Sequence, residues 1–185
     1  NIIGSINVLE ESSDVDFVLG ISSDKVVQIS GNYGATKFLI EKLFTQFEEI
    51  NPNTKYRVVR LGNVIYSVDS VLCKWKKLIQ NCQEVVVTDK RATRFFLTSE
   101  KSIDLIMNCL ENAKDSKPYF ELMKSTSIGN LLQAMINKYS PKGCDLPIKT
   151  IGLQPNENLH EKITEDGIFT NEIEQYSVEE LEEII

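Results

Sequence analysis

"VDFVLGISSDKVVQISGNYGATKFLIEKLFTQFEEI", residues 15–50, decides how this chain is read. The apolar run "VDFVLGI" (15–21), closed by Ser22-Ser23, has the pattern of a buried parallel strand. From Tyr33 to Ile50 the period changes. Phe38, Leu39, Leu43, Phe44 and Phe47 recur at helical spacing, with Glu41, Lys42, Glu48 and Glu49 on the wet side. Between strand and helix stand Asp24 and Lys25, and the helix opens with Tyr33 and Lys37 one turn apart.

Outward from this unit the alternation continues. "NPNT" (51–54) is a turn cluster and "KYRVVRLGNV" (55–64) the next strand. "DSVLCKWKKLIQNC" (69–82) is amphipathic, and "EVVVTD" (84–89) and "RFFLTS" (94–99) are short strands. A helix is expected over 100–113 with Ser99 as N-cap, followed by a strand in "PYFELM". A helix over 127–139, a strand over 146–153 and a Glu-rich helix from Ser177 complete the chain. Strands and helices at βαβ spacing predict an α/β class with a mainly parallel sheet.

Composition bounds the rest. With 185 residues and 42% hydrophobic content, the chain makes one domain, or a compact domain with a small lobe. The formal charge is −7 and no Lys/Arg run is dense, so neither nucleic acid nor a membrane surface is expected as partner. Cys73, Cys82, Cys109 and Cys144 are widely spaced and read as reduced thiols, Cys109 in the core. The single His160 cannot build a histidine-rich metal site and no C-x-x-C pair occurs, so no metal is expected. No apolar run approaches the ~18–20 residues that cross a bilayer. "NIIGSINVLEESS" lacks a basic leader and an initiator Met, and carries Ile2, Ile3, Ile6, Val8 and Leu9 on a helical stripe. A cytoplasmic protein, entered part-way through its fold, is the expectation.

The Tyr33–Lys37 pair shares one helix face, so the ammonium can stabilise a phenolate that would otherwise be a poor base at neutral pH. On spacing alone a plain surface pair is the better reading, and Asp24 alone is met by a loop cap. Position favours chemistry: ligands of open parallel sheets bind outside the carboxyl ends of the strands, where Asp24, Lys25 and Tyr33 would converge.

"SSDK", then "YGATK" with its tyrosine eight residues beyond Lys25, resembles the inverting UDP-N-acetylglucosamine 4,6-dehydratases. These are extended short-chain dehydrogenase/reductases of polysaccharide biosynthesis. "NIIGSINVLE" is similar to the family's Asn-x-x-Gly-x-x-Asn-Val helix, and "RLGNVIYSVDSV" to its Arg-x-Gly-Asn-Val…Ser-x-Gly-Ser-Val segment. "TDKRATRFFLT", "MKSTSIGNL", "QPNENLHE" and "EQYSVEELEEII" match further family segments in order. Retaining, membrane-linked relatives typically carry Met where this chain has Tyr33.

The resemblance implies a partial Rossmann-like, doubly wound fold with a C-terminal substrate lobe. Residues 1–65 and 98–123 would form the second half of the NADP-binding domain, and 66–97 and 124–185 the sugar-nucleotide lobe. It implies an NADP-dependent hydro-lyase acting on a UDP-sugar, with 4-epimerase or reductase activity, or a non-catalytic partner role, as alternatives. Tyr33 would take the C4 hydroxyl proton, while Lys37 would lower its pKa and hold the nicotinamide ribose. Asp24 would protonate the departing C6 hydroxyl, Lys25 would serve at C5, and Ser23 would bond the C4 oxygen. Asn63 and Arg94 would hold the diphosphate, Ser70 and Val71 would form the loop over the sugar nucleotide, Glu157 would accept ribose hydroxyls, and Gln154 stands at a further substrate-binding position. A homo-oligomer through helices 2–13 and 33–50 is implied too.

Three departures accompany the match. No G-x-G-x-x-G occurs in the 185 residues, so the pyrophosphate turn must come from elsewhere or the chain cannot hold NADP alone. Gln154 stands for the family's arginine, with Asn156 and Asn158 for Gly and Lys. One lost charge-assisted contact costs on the order of 1.5–3 kcal/mol. Asp69 stands for a glycine beside the diphosphate, adding negative charge.

Overall fold

The computed structural model describes residues 1–68 and 70–185; Asp69, read above as the acidic replacement beside the diphosphate, lies outside the described residues. In chain order the elements are α1 (Ile2–Glu11), β1 (Phe17–Ser23), a 3-10 turn (Asp24–Val26), α2 (Asn32–Ile50), β2 (Lys55–Leu61) and β3 (Asn63–Val64). Then come α3 (Val71–Gln80), β4 (Val85–Val87), β5 (Thr93–Leu97), α4 (Ser99–Asn112), β6 (Ser125–Ser127), α5 (Ile128–Tyr139), β7 (Ile148–Thr150) and α6 (Val178–Ile184). The chain is α/β, and its strands divide between two compact units.

The first unit holds Asn1–Gly62, Glu100–Leu122 and Lys162–Gly167. β1 and β2 pair in parallel, in register from Phe17↔Lys55 to Ser23↔Leu61. Leu9, Val18, Ile40, Phe44, Tyr56 and Val58 form its core. Burying a side chain the size of Phe44 contributes about 1.5–3 kcal/mol. Gly20 makes that possible: a Cβ there would stand 2.6 Å from the Phe44 ring, so only glycine lets the helix lie so close to the strand.

The buried face of α2 keeps part of the apolar set expected from the sequence: Phe44 is in the core and Leu43 and Phe47 pack against it. Leu39 is exposed, whereas Gly34, Ile40, Glu41 and Phe44 are buried. Glu41 and Glu48 therefore depart from the wet-side expectation. Glu41 accepts bonds from Ser22 Oγ (2.6 Å), Arg60 Nε (2.9 Å) and Arg60 Nη2 (2.8 Å). Glu48 takes Arg57 Nη1 and the Ser116 amide. Both carboxylates turn inward because β2 offers each an arginine, and a buried charge is tolerated when paired. "PYFELM" differs too: only Tyr119 bridges to Val59, donating to Val58 O (2.7 Å) and accepting from Arg60 N (2.8 Å). Pro118 has no amide with which to extend the ladder.

The second unit holds Asn63–Ser99, Met123–Glu161 and Ile168–Ile185. β5 lies between β3, parallel to it, and β6, antiparallel; β4 pairs in parallel with β7. β6 was missed in the sequence because Ser125–Ser127 is polar, although Ser125 and Thr126 are fully buried. Leu72, Trp75, Ile79, Phe96, Leu131 and Met135 lie in its core. α6 begins with a capping box in which Ser177 and Glu180 satisfy each other's amides.

Cys82 and Cys144 correct the expectation of separate reduced thiols. They form a disulfide with Cα atoms 6.0 Å apart, across 62 residues of sequence. The cause is topological: each cysteine just precedes one of the paired strands β4 and β7, a pairing no local pattern reveals. Cys73 and Cys109 are free, and burial pushes the Cys109 thiol up to about 11. Among the described residues no helix is long and apolar enough to cross a membrane.

Candidate active site

In the first unit, the groups gather at the carboxyl end of β1. The strand ends in Ser23, whose Oγ caps the 3-10 turn by accepting from the Lys25 amide (3.3 Å) and donates to Asp24 Oδ1 (2.9 Å). Asp24 is 1% exposed. Lys25 Nζ donates to both its oxygens, at 2.9 and 2.8 Å. A carboxylate so deeply buried needs such partners, because an unpaired one would forfeit its hydration without return. The lysine is partly open to solvent, so the pair has one wet side.

Gly34 brings the next element in. A Cβ on it would meet the Lys25 carbonyl oxygen at 2.2 Å, so the first turn of α2 packs directly on the residue that holds Asp24. Tyr33 on that turn is half-exposed, and Lys37 Nζ lies 5.9 Å from its ring centroid. Lys37 also donates to the Ile21 carbonyl at 2.8 Å, and burial holds its ammonium below the ordinary lysine range. Ser23, Asp24 and Lys25 are thus in mutual contact, and Gly34 and Lys37 tie the Tyr33 turn to the same strand end. The Glu41–Arg60 pair supports this end through Ser22, which directly precedes Ser23. Sequence reasoning missed Glu41, although it follows Lys37 by one helical turn on the face that packs on β1.

In the second unit a cavity of about 420 Å³ is lined by Asn63, Ser70, Val71, Arg94 and Glu157, together with Trp75 and Thr88. Five of the six residues assigned to substrate in the sequence line it. Gln154 does not: it is exposed, with its amide Nε2 donating to Gly152 O at 3.0 Å. Asn63 Nδ2 donates to Phe95 O (3.0 Å), which fixes its carbonyl end. Ser70 caps α3 by accepting from Cys73 N, so the amide-rich start of that helix faces the cavity with Val71.

Arg94 is buried, and its burial is accounted for by protein groups. Nη1 donates to Thr93 O (2.8 Å) and Leu159 O (3.2 Å), Nη2 to Glu157 Oε1 (3.1 Å), and Nε stands 3.8 Å from Glu161 Oε1. Glu157 also accepts from Thr88 Oγ1 at 2.9 Å. Its carboxylate is a quarter exposed, whereas that of Glu161 is sealed. Thr93 Oγ1 lies 2.8 Å from His160 Nδ1, and burial, then the Arg94 charge, keep the imidazole below its ordinary pKa. Glu161 and Thr88 lie in the quoted segments "QPNENLHE" and "TDKRATRFFLT" but were given no role there; their contacts with Arg94 and Glu157 span more than sixty residues, although Glu161 also accepts from the nearby Asn158 Nδ2 at 3.2 Å.

A parallel strand that ends in a polar turn, with a helix packed behind it, is a Rossmann-like α/β arrangement, and solved structures share the fold of this chain. The chain belongs to the polysaccharide biosynthesis protein family, which it matches over residues 1–181. It is 33% identical over 192 residues to an uncharacterized membrane protein of Methanocaldococcus jannaschii, covering 100% of this chain and 56% of that one. It is 33% identical over 183 residues to an inverting UDP-N-acetylglucosamine 4,6-dehydratase of Campylobacter jejuni, covering 95% of this chain and 53% of the relative. The crystal structure of Pen from Bacillus thuringiensis superimposes with a TM-score of 0.90 at 26% identity, over 100% of this chain and 66% of that one. The chain therefore spans about half the length of the curated relatives it matches.

Proposed function

We propose that this chain carries the proton-transfer groups and the nucleotide cavity of an NADP-dependent, 5-inverting UDP-N-acetylglucosamine 4,6-dehydratase. The observation that supports it most is the grouping of a buried carboxylate, its ammonium partner and a Tyr–Lys pair at one strand's carboxyl end.

Elimination of water across C5 and C6 needs three proton movements, and the chain has a group for each. Tyr33 removes the C4 hydroxyl proton, with the Lys37 ammonium stabilising the phenolate. Lys25 serves at C5, and Asp24 delivers the proton that lets the C6 hydroxyl leave as water. Lys25 and Asp24 already touch, so a proton passes between them without a relay. Ser23 holds the C4 oxygen in place. In the cavity, Arg94, Asn63 and the start of α3 receive the diphosphate, and Glu157 accepts from ribose hydroxyls.

The residues present fit the nicotinamide ribose end of the cofactor, where Lys37 offers an ammonium beside Tyr33. When bound, the nicotinamide supplies hydride exchange, withdrawing it at C4 and returning it at C6. A homo-oligomer through α1 and α2 belongs to the same reading, supported by the exposure of Ile3, Val8 and Leu39 on those helices.

The test joins this chain behind the N-terminal half of the Campylobacter relative and supplies UDP-N-acetylglucosamine and NADP. A 4-keto-6-deoxy product seen by NMR is expected; its absence from a folded fusion ends the dehydratase reading. Asp24→Asn should abolish elimination and spare C4 oxidation, an outcome that also separates the dehydratase from a 4-epimerase using Tyr33 and Lys37.

A further inference from the structure

Behind the cavity wall, on the far side of α3, lies a cluster that the proposed chemistry does not use. Tyr66 has φ of 57°, in the left-handed region that costs a bulky side chain roughly 1–3 kcal/mol. Three contacts oppose that cost. Its hydroxyl donates to Tyr139 Oη at 2.9 Å and stands 3.8 Å from Met135 Sδ. Lys76 Nζ lies over both rings, 5.3 Å from the Tyr66 centroid and 4.4 Å from that of Tyr139. Burial, then the Tyr139 hydrogen bond, push the Tyr66 phenol well above its ordinary pKa. Burial raises that of Tyr139 too, but the bond from Tyr66 and the Lys76 charge outweigh it and hold it lower.

The turn that follows Tyr66 feeds the cavity. Ser67 N donates to Val64 O (3.2 Å), Ser70 N to Ser67 O (3.0 Å), and Cys73 Sγ to Ser67 O (3.6 Å). Ser67, Ser70 and Val71 line the cavity, while Tyr66, Cys73 and Lys76 line a second, shallower groove behind them. One short turn thus has its front in the nucleotide cavity and its back on the cluster.

We infer that Tyr66, Tyr139 and Lys76 form a clamp that holds the backbone at Tyr66 in its left-handed conformation, at the entry to the Ser67 and Ser70 positions, making them positioning residues for the wall of the nucleotide cavity. The diphosphate contact depends on where Ser70 and the first amides of α3 stand, and the clamp sets that placement from behind. The inference rests on the proposed cavity only for its ligand; the clamp itself concerns the protein alone.

Two readouts separate those parts. Cys73 is the half-buried free thiol beside the turn, whereas Cys109 is buried and Cys82 is paired with Cys144, so an aromatic disulfide reagent titrates Cys73. The single tryptophan, Trp75, lines the cavity and reports UDP binding by its fluorescence. Tyr139→Phe removes one hydrogen bond, and Lys76→Met keeps the apolar stem but removes the charge.

Each variant should raise the Cys73 reaction rate and weaken UDP binding by roughly three- to tenfold, the range of one lost hydrogen bond or cation–π contact. The midpoint of thermal unfolding should stay within a few degrees of the parent's. Unchanged thiol rates in both variants overturn the clamp, whatever UDP does. Faster thiol reaction with unaltered UDP affinity also overturns it, because the turn then moves without consequence for the cavity. Faster thiol reaction in a protein that binds no UDP at all leaves the clamp standing and removes the nucleotide reading of the cavity.

Discussion

Glu41→Ala is the sharpest test of how the first unit holds its chemistry. The carboxylate is 5% exposed and faces Arg60, itself 13% exposed, across 2.8 Å. Its removal strands a guanidinium in a site with little water, and breaking a buried pair from one side costs about 3–5 kcal/mol. The Ser22 hydroxyl loses its acceptor as well, at 2.6 Å one of the shorter bonds in the unit. Arg60 keeps one partner, the Ile163 carbonyl at 2.8 Å, which argues for the lower part of that range. With a urea dependence of roughly 1–3 kcal/mol per molar, the midpoint followed by far-UV circular dichroism should fall by about 1 M or more. Adding Arg60→Met to Glu41→Ala should recover much of the loss, because no uncompensated charge then remains. A Glu41→Ala protein within about 1 kcal/mol of the parent, or a double variant worse than the single, would refute the reasoning; either result would mean that water reaches Arg60.

Gly34→Ala forces a methyl to within 2.2 Å of the Lys25 carbonyl. It should cost about 1–3 kcal/mol by calorimetry and displace Tyr33 from the end of β1. Arg94→Lys loses the fork that reaches Glu157 and two main-chain carbonyls, so UDP affinity read through Trp75 should fall roughly tenfold or more. Glu48 gives a pH dependence. Burial opposes its ionisation, but the Ser116 and Arg57 hydrogen bonds prevail and hold its folded pKa below the ordinary carboxylate value. Its stabilisation is present above the unfolded pKa, about 4.3, and is lost as pH falls through the folded value. Urea midpoints of the parent and Glu48→Gln should therefore differ at pH 6 and converge in acid.

Where the chain carries its information locally, the sequence was legible. The period change between "VDFVLGI" and "YGATKFLIEKLF" marks β1 and α2, and the alternation beyond them places the chain in the α/β class. The face of α2 was legible in part, since Phe44, Leu43 and Phe47 pack on the core while Leu39 is exposed. Two glycines decide it: Gly34 must meet Lys25 and Gly20 must receive Phe44, and both are relations between elements. The same holds for Glu41, which looks like a surface charge until β2 brings Arg60 beneath it. The Cys82–Cys144 pair and the Arg94–Glu157–Glu161 group belong with it, being made by chain segments that meet only after folding. The Ser23–Asp24–Lys25 contact is different. Consecutive residues at a strand end have little choice but to touch, so a motif of adjacent residues predicts its own geometry.

Arg94 is where the proposed function bears hardest on the structure. Its guanidinium already has Glu157 at 3.1 Å and Glu161 at 3.8 Å, so the cavity does not offer a free positive charge. On the proposed reading, a diphosphate that takes over the Arg94 Nη2 bond displaces Glu157, the more exposed of the two carboxylates, and a displaced carboxylate needs donors in exchange. Ribose hydroxyls are such donors, and Thr88 Oγ1 keeps Glu157 within reach of them. On the reading proposed above, the ligand would carry hydroxyls and a diphosphate at once, which a nucleoside diphosphate does and inorganic pyrophosphate does not.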